Sequence, residues 1–335
     1  NVSLEETKKL AKRIQTNFEH PVELPGKSLT LSCSIGISHF PKHALEADAL
    51  LNKADTALYY VKERSKGEYA VYHPEMQEKT LELILLENEL RKAIKLEQFD
   101  LDYQPKIDFS ANRLIGMEAL VRWNHPDLGK IPPNKFIPLA EETGLIIPRG
   151  EWILRKGGQQ NKEWQRKGYP PLKLSVNVSV RQLTQPTIVD TIKRILDETE
   201  LEPKWLELEV TESILADLEQ AAAILQQIRD LGVQISVDDF GTGYSSFSYV
   251  KHLPIDTVKI DASFIRDLDK NEESKAIVRA VLTLANALGI SVIAEGIETE
   301  EQLAVLNSDG CKQGQGYYFS KPLSSKEFEQ YIKKF

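Results

Sequence analysis

Six oxygen-donor side chains stand in separate parts of the chain, each following a short apolar run: Glu118, Asn177, Glu209, Asp238 with Asp239, and Glu295. Adjacent carboxylates such as Asp238 and Asp239 repel one another unless a cation lies between them. Asn177 would add a neutral oxygen, and Lys259 could orient a water or offset charge on a phosphoryl oxygen, while Glu295 could bridge metals or accept a proton. Arg122, four residues after Glu118, suits bidentate phosphate contact. The candidate donors are all oxygens and the six His show no zinc spacing, which favours Mg²⁺ or Mn²⁺. Two such ions about 3.5–4 Å apart would activate a water for in-line attack on a phosphodiester. Each residue alone has a plainer reading: an Asp-Gly turn, an Asn bonding the backbone, or a surface ion pair of Glu118 with Arg122.

Donors so far apart in sequence must be brought together by the fold. Strand-type runs near Leu101–Ile107, Leu114–Val121, Lys173–Val178, Leu206–Val210, Gln234–Val237, Thr257–Ile260, Ser291–Ala294 and Gln315–Phe319 alternate with helix-type runs. Eight such runs predict a closed TIM-like (β/α)8 barrel, whose catalytic side chains come from the C-terminal ends of several strands. Asp108 to Arg113 is too short for a helical crossover, so the first two strands should pair antiparallel and the barrel should contain one reversed strand. In the Leu206–Val210 run, the alternation places Glu207 and Glu209 on the face opposite Leu206, Leu208 and Val210. A lumen-facing Glu209 needs a partner, and a cation would serve. Asp261 would support the site from behind.

Ahead of the barrel, residues 1–74 read as helix, strand, helix, strand, with one strand spanning Leu29 to Ile37. So small a unit buries little surface, which suggests that it is truncated on its N-terminal side or leans on the following domain. Residues 75–98 read as a connecting helix with Leu83, Leu86, Leu90 and Ile94 on one stripe, and 99–335 as the barrel.

With 41% hydrophobic and 27% charged residues the chain has an ordinary globular composition. The net charge of −8 disfavours a nucleic-acid polymer as partner. No apolar stretch reaches membrane-spanning length. Only Cys33 and Cys311 are present, without C-x-x-C spacing, which fits a reducing compartment. A cytoplasmic location is expected, or the soluble part of a longer, membrane-anchored protein.

The motifs resemble those of the EAL-domain cyclic di-GMP phosphodiesterases. They run through Gln104-Pro105-Lys106, Glu118-Ala119-Leu120-Val121-Arg122-Trp123, Phe136 to Glu141, Ser175 to Ser179, Glu209-Val210-Thr211-Glu212-Ser213, Asp238 to Ser246, Val258 to Asp261, Ala294 to Glu298 and Gln315-Gly316-Tyr317. So many ordered motifs from about Leu81 to the C-terminus make coincidence a poor explanation. The resemblance implies two divalent ions and hydrolysis of cyclic di-GMP to linear pGpG. By position it makes Glu118, Asn177, Glu209 and Asp238 metal ligands, with Asp239 serving the second ion. Lys259 and Glu295 would hold or deprotonate the water, which of them is the base being left open. Glu212 would brace the Asp239–Ser246 loop, which in such proteins links the metal site to the contact of a homodimer. Gln104, Arg122 and Gln315 would hold substrate, with Asp261 and Glu298 supporting. The first unit resembles the C-terminal half of a GGDEF domain through Ser34 to Ser38, Ala54 to Tyr59 and Lys62 to Gly67. The cyclase signature is absent from this sequence, so cyclase activity is not expected here.

Two other readings compete. A non-hydrolysing cyclic di-GMP receptor of the same fold would bind without cutting. A barrel enzyme of unrelated chemistry could use Lys259 as a Schiff-base nucleophile, although the surrounding carboxylates should raise its pKa and oppose that role.

Overall fold

The computed structural model describes all residues except 1–2, 19–21, 25–26, 30, 65–66, 94, 213–217 and 243–252, and only the backbone at 22–24, 27–29, 63–64 and 218–220. The chain divides into two compact units, Asn1–Leu90 and Arg91–Phe335, the division falling inside the helix Pro74–Ala93. Leu86 and Leu90 of the expected stripe are buried and Leu83 is half-buried, while Ile94 lies outside the described residues. Among the described residues no helix is long and apolar enough to cross a membrane.

In the first unit the two amphipathic runs form the helices Leu4–Phe18 and Ala47–Arg64. The run expected as one strand over Leu29–Ile37 is divided. Lys27–Leu29 pairs antiparallel with Val22–Leu24, whereas Ile35–Ile37 pairs parallel with Tyr69–Val71. Alternation records which face a residue occupies but not a change of pairing partner, so two short strands can read as one. Gly36 lets the helix Ala47–Arg64 lie directly on its strand, since a β-carbon there would come within 2.0 Å of the Ala54 carbonyl oxygen.

The second unit is a closed eight-stranded mixed barrel. Its strands are β1 (Phe99–Asp108), β2 (Arg113–His125), β3 (Lys173–Asn177), β4 (Leu206–Thr211), β5 (Gln234–Phe240), β6 (Thr257–Ile260), β7 (Ser291–Ala294) and β8 (Gln313–Gly314). Strands β2 to β8 run parallel in sequence order. Strand β1 is antiparallel to both β2 and β8 and closes the cylinder. The hairpin that reverses β1 is made locally: the Asp108 carboxylate accepts hydrogen bonds from the Ser110 hydroxyl (2.7 Å) and the Ala111 N–H (3.0 Å). Asn112 then takes the left-handed conformation at φ 48°, which a short amide side chain tolerates.

The eighth strand ends sooner than its aromatic run suggests. It occupies Gln313–Gly314, not Gln315–Phe319, and the chain then turns, the Phe319 N–H donating to the Gly316 carbonyl at 3.1 Å. Tyr317 and Tyr318 imitate a strand in sequence but are exposed, at 56% and 42%. The early stop leaves Gln315 at the barrel mouth, its N–H donating to the Ala294 carbonyl at 2.9 Å.

The outward face of β1 packs against helices. Tyr103 meets Trp164 of the helix Ile146–Arg166 at a ring separation of 5.0 Å and Phe328 of the helix Ser325–Ile332 at 5.8 Å, and Trp164 and Phe328 are 5.2 Å apart. Ser324 and Glu327 form a capping box that starts the second helix. Phe328 is fully buried, so Phe328→Ala is expected to cost about 3–5 kcal/mol, read as a lower urea midpoint of the barrel unit. A loss below about 1 kcal/mol would show that this helix does not secure the reversed strand.

Candidate active site

The barrel lumen carries charge where an apolar filling is the commoner solution. Lys106 of β1, 1% exposed, donates to the Ser175 hydroxyl of β3, to Glu207 at 3.0 Å and to Glu209, both of β4. Glu207 also accepts from Ser175 at 2.6 Å and from Thr257 of β6 at 3.1 Å, and Lys173 lies 3.5 Å away. Burial alone would raise the pKa of Glu207, but Lys106 and Lys173 outweigh it and hold the carboxyl at about 2. A buried charge is tolerated when it is paired and its lone pairs are bonded. This layer forms a floor beneath the strand ends.

Above it, the Lys259 ammonium of β6, also 1% exposed, is ringed by carboxylates from four other strands or their ends. Glu209 and Glu295 are each 2.6 Å from it, Asp238 is 3.2 Å and Glu118 is 3.4 Å. Burial pulls the Lys259 pKa down, yet Glu118, Glu209, Glu295 and Asp238 together drive it well above the usual lysine value. Lys259 is therefore an ammonium at neutral pH, and the Schiff-base reading lacks the neutral amine it needs. The Glu295 pKa is raised well above that of an ordinary carboxyl, by burial first and by the charges of Asp238, Glu118 and Glu209, against the lowering by Lys259. Glu118 stays below its ordinary value because Lys259 and Lys106 outweigh its burial.

Adjacent residues on a strand point to opposite faces, yet Asp238 and Asp239 both reach the mouth. A bulge explains this. Val237 pairs with Val258 and Phe240 with Ile260, so Asp238 and Asp239 together oppose the single residue Lys259. Asp239 takes a left-handed φ of 55°. The re-aimed pair and Glu295 have donor oxygens within 4.8 Å of one another. Burial raises the Asp239 pKa, and the charges of Asp238 and Asp261 add to it. Asp261 caps the helix Ala262–Arg266 by accepting from the Ser263 N–H at 3.0 Å.

The remaining expected residues are placed as follows. Asn177, at the end of β3 and beside Glu209 in register, donates from its amide to Glu118 at 2.6 Å. Gln315 donates to both Glu118 and Glu295 at 2.8 Å, and its own buried Oε1 has no hydrogen-bond partner among the described residues. Gln104 pairs in register with Glu118. Arg122 is half-buried and held by Asp102 at 2.7 Å. Glu212 accepts from the Gly241 N–H at 3.0 Å, whereas 243–246 of the loop it was expected to brace lie outside the described residues. Glu298 is exposed and joins its surroundings through its backbone N–H, which donates to Gln302 at 2.7 Å.

The partner that a lumen-facing Glu209 needs includes two lysines, Lys106 and Lys259, which the strand pattern alone does not pair with it. The alternation that turns Glu209 inward does the same for Glu207, and Lys106 two residues from Gln104 was the available sign.

Comparison with known proteins places this geometry. The EAL domain family matches residues 87–322, and the family described as diguanylate cyclase, GGDEF domain, matches residues 1–68. The chain is 39% identical over 336 aligned positions to the cyclic di-GMP phosphodiesterase PdeR of Escherichia coli K12, an alignment covering 100% of this chain and 50% of PdeR. The chain spans about half the length of the curated relatives it matches. Among solved structures, the PaMucR phosphodiesterase in complex with c-di-GMP is 41% identical with a TM-score of 0.71, covering 73% of this chain and 99% of that one. The EAL enzyme Bd1971 bound to cAMP and cyclic di-GMP is 37% identical with a TM-score of 0.73, covering 76% and 70% respectively.

Two outcomes test the buried floor. Lys106→Met strands Glu207 in the lumen and should destabilise the barrel by about 3–5 kcal/mol, while adding Glu207→Leu should recover part of that loss. An additive double variant would contradict the pairing. Glu207 has a depressed folded pKa, so its stabilisation is complete above its ordinary value of 4.5 and is lost as pH falls through about 2. Urea midpoints of Glu207→Gln should therefore decline less steeply than wild type over that interval, and parallel declines would contradict the assignment.

Proposed function

This chain belongs to the EAL-domain family, and from that premise we propose that it hydrolyses cyclic di-GMP to linear pGpG in a metal-dependent reaction. The observation that carries the reading is the gathering of Glu118, Glu209, Asp238 and Glu295 around one buried ammonium at the mouth of the barrel, with Asp239 beside Asp238 and Glu295. Negative charge there exceeds what Lys259 offsets. The names of the relatives, with a cyclic dinucleotide phosphodiesterase among the most similar, support the substrate.

The donor set fits hard divalent cations. Its oxygens are carboxylates with one neutral amide nearby, the Asp238, Asp239 and Glu295 oxygens are close enough to share an ion, and the buried Gln315 Oε1 is an unused acceptor. Oxygen-only donors of this kind select Mg²⁺ or Mn²⁺ over zinc. In this reading Glu118, Asn177, Glu209 and Asp238 hold one ion and Asp239 serves the second. When bound, such ions polarise the phosphoryl oxygens and lower the pKa of water.

The chain's own residues divide the rest of the work. Of Lys259 and Glu295, this reading takes Glu295, with its raised pKa, to receive a proton from the attacking water. Lys259 remains charged, orients that water and offsets phosphoryl charge. As the water oxygen bonds to phosphorus, the P–O3′ bond breaks and the departing 3′-oxygen takes up a proton from solvent, which leaves a 5′-phosphate and a 3′-hydroxyl. Gln104 and Arg122 position the dinucleotide. Glu212, just past the end of β4, accepts from the Gly241 N–H, and this reading has it link the site to a contact between two copies of the chain. Residues 1–74 are assigned to the GGDEF-like part, 75–98 to the connection and 99–335 to the catalytic part. Two free thiols suit a cytoplasmic setting.

Incubation with cyclic di-GMP and Mn²⁺, followed by chromatography of the nucleotides, should give linear pGpG and stop on addition of a chelator. Glu118→Ala or Asp239→Ala should reduce turnover by more than about 100-fold. Undiminished cleavage in both variants would remove the proposed site, and tight binding with no linear product over hours would reassign the chain as a receptor.

A further inference from the structure

A cavity of about 230 Å³ flanks the mouth, its walls running from Asn177 and Glu209 past Ile137 and Ile146 to Glu141 and Arg149. Arg149 stands on the helix Ile146–Arg166 and is 1% exposed, and its three guanidinium nitrogens have no hydrogen-bond partner among the described residues. The guanidinium lies over the rings of Phe136 at 4.7 Å and Phe99 at 5.4 Å. Ring contacts engage the flat faces of the group and leave the in-plane N–H donors unused. Burial lowers the Arg149 pKa to about 10 against the opposing effect of Glu141, so the group is still charged at neutral pH. Glu141 lines the same cavity, and its pKa is raised by burial with Arg149 opposing. Arg149, with its buried donor fork, and the half-buried Glu141 thus both line a cavity with apolar walls.

We propose that Arg149 is a specificity-determining residue that reads the acceptor edge of a purine base entering this cavity, and so sets which cyclic dinucleotide is preferred. The proposal rests on the phosphodiesterase reading. Guanine presents O6 and N7 acceptors, a geometry that a guanidinium fork matches with two hydrogen bonds, whereas adenine places an N6 amine donor where the fork requires an acceptor. Glu141 complements this arrangement, since the N1–H and N2–H₂ groups of guanine are donors and a carboxylate only accepts. The unused Arg149 donors make the wrong base costly, because a donor facing a donor leaves both unpaired in a dry site.

The test is a comparison of kcat and KM with Mn²⁺ for cyclic di-GMP, cyclic di-IMP and cyclic di-AMP, using wild type, Arg149→Met and Arg149→Lys, with melting curves for each. Wild type should prefer the two substrates that carry O6. In Arg149→Met the KM for those two should rise by about 5- to 150-fold, the range of one bidentate base contact, with kcat little changed and the preference over cyclic di-AMP falling by a similar factor. Arg149→Lys keeps charge without the fork and should fall between. A folded Arg149→Met protein with the wild-type preference overturns the proposal. If Arg149→Met does not fold, a wild-type preference in Arg149→Lys overturns it instead. A wild type that cuts none of the three sinks the phosphodiesterase reading, a different result from an unchanged preference.

Discussion

The structure turns on charge held where water barely reaches it. Lys259 is an ammonium 1% exposed, and an isolated charge so placed would shed its proton. It keeps it because carboxylates from several strand ends converge on it. Parallel strands make the convergence possible: each ends at the same mouth, so side chains over a hundred residues apart in sequence become neighbours. The reversed β1 adds to this from the opposite direction, with Gln104 opposite Glu118 and Lys106 opposite Gly116.

The polar floor and the mouth behave differently. In the floor, Lys106 answers Glu207 and Glu209 with direct hydrogen bonds and two hydroxyls complete the set, so the layer is closed. At the mouth, four carboxylates share Lys259, and Glu295 responds with a raised pKa. Repulsion of this kind costs stability, and it persists in sites whose chemistry needs it. Under the proposed function, a group that accepts a proton beside one that will not release its own is the division of labour that hydrolysis by water requires.

Much of this was legible in the sequence. The strand runs and the short Asp108–Arg113 link gave the eight-stranded barrel and its reversed member, since loop length alone forbids a crossover there. The acids followed because each terminates an apolar run. What escaped has physical causes. The bulge at Asp238 and Asp239 is a slip in pairing register, and composition does not encode register. Gln315–Phe319 has strand-like residues but turns, because the backbone hydrogen bonds of that segment go to Gly316 and Ile297. Lys106 and Arg149 are basic residues in full burial, the environment that hydrophobicity patterns assign to them least often. The divided strand of the first unit failed for the reason the bulge did: pairing partners are a tertiary property.

The claim on which the account stands is that the excess carboxylates at the mouth share a pair of divalent cations. Diffraction from crystals of the protein grown with Mn²⁺, recorded for manganese anomalous scattering, tests it most directly. Two anomalous peaks among Glu118, Asn177, Glu209, Asp238 and Asp239 are predicted, one of them within bonding distance of Asp239. A map without a peak at the mouth, or with one peak remote from these side chains, would contradict the account.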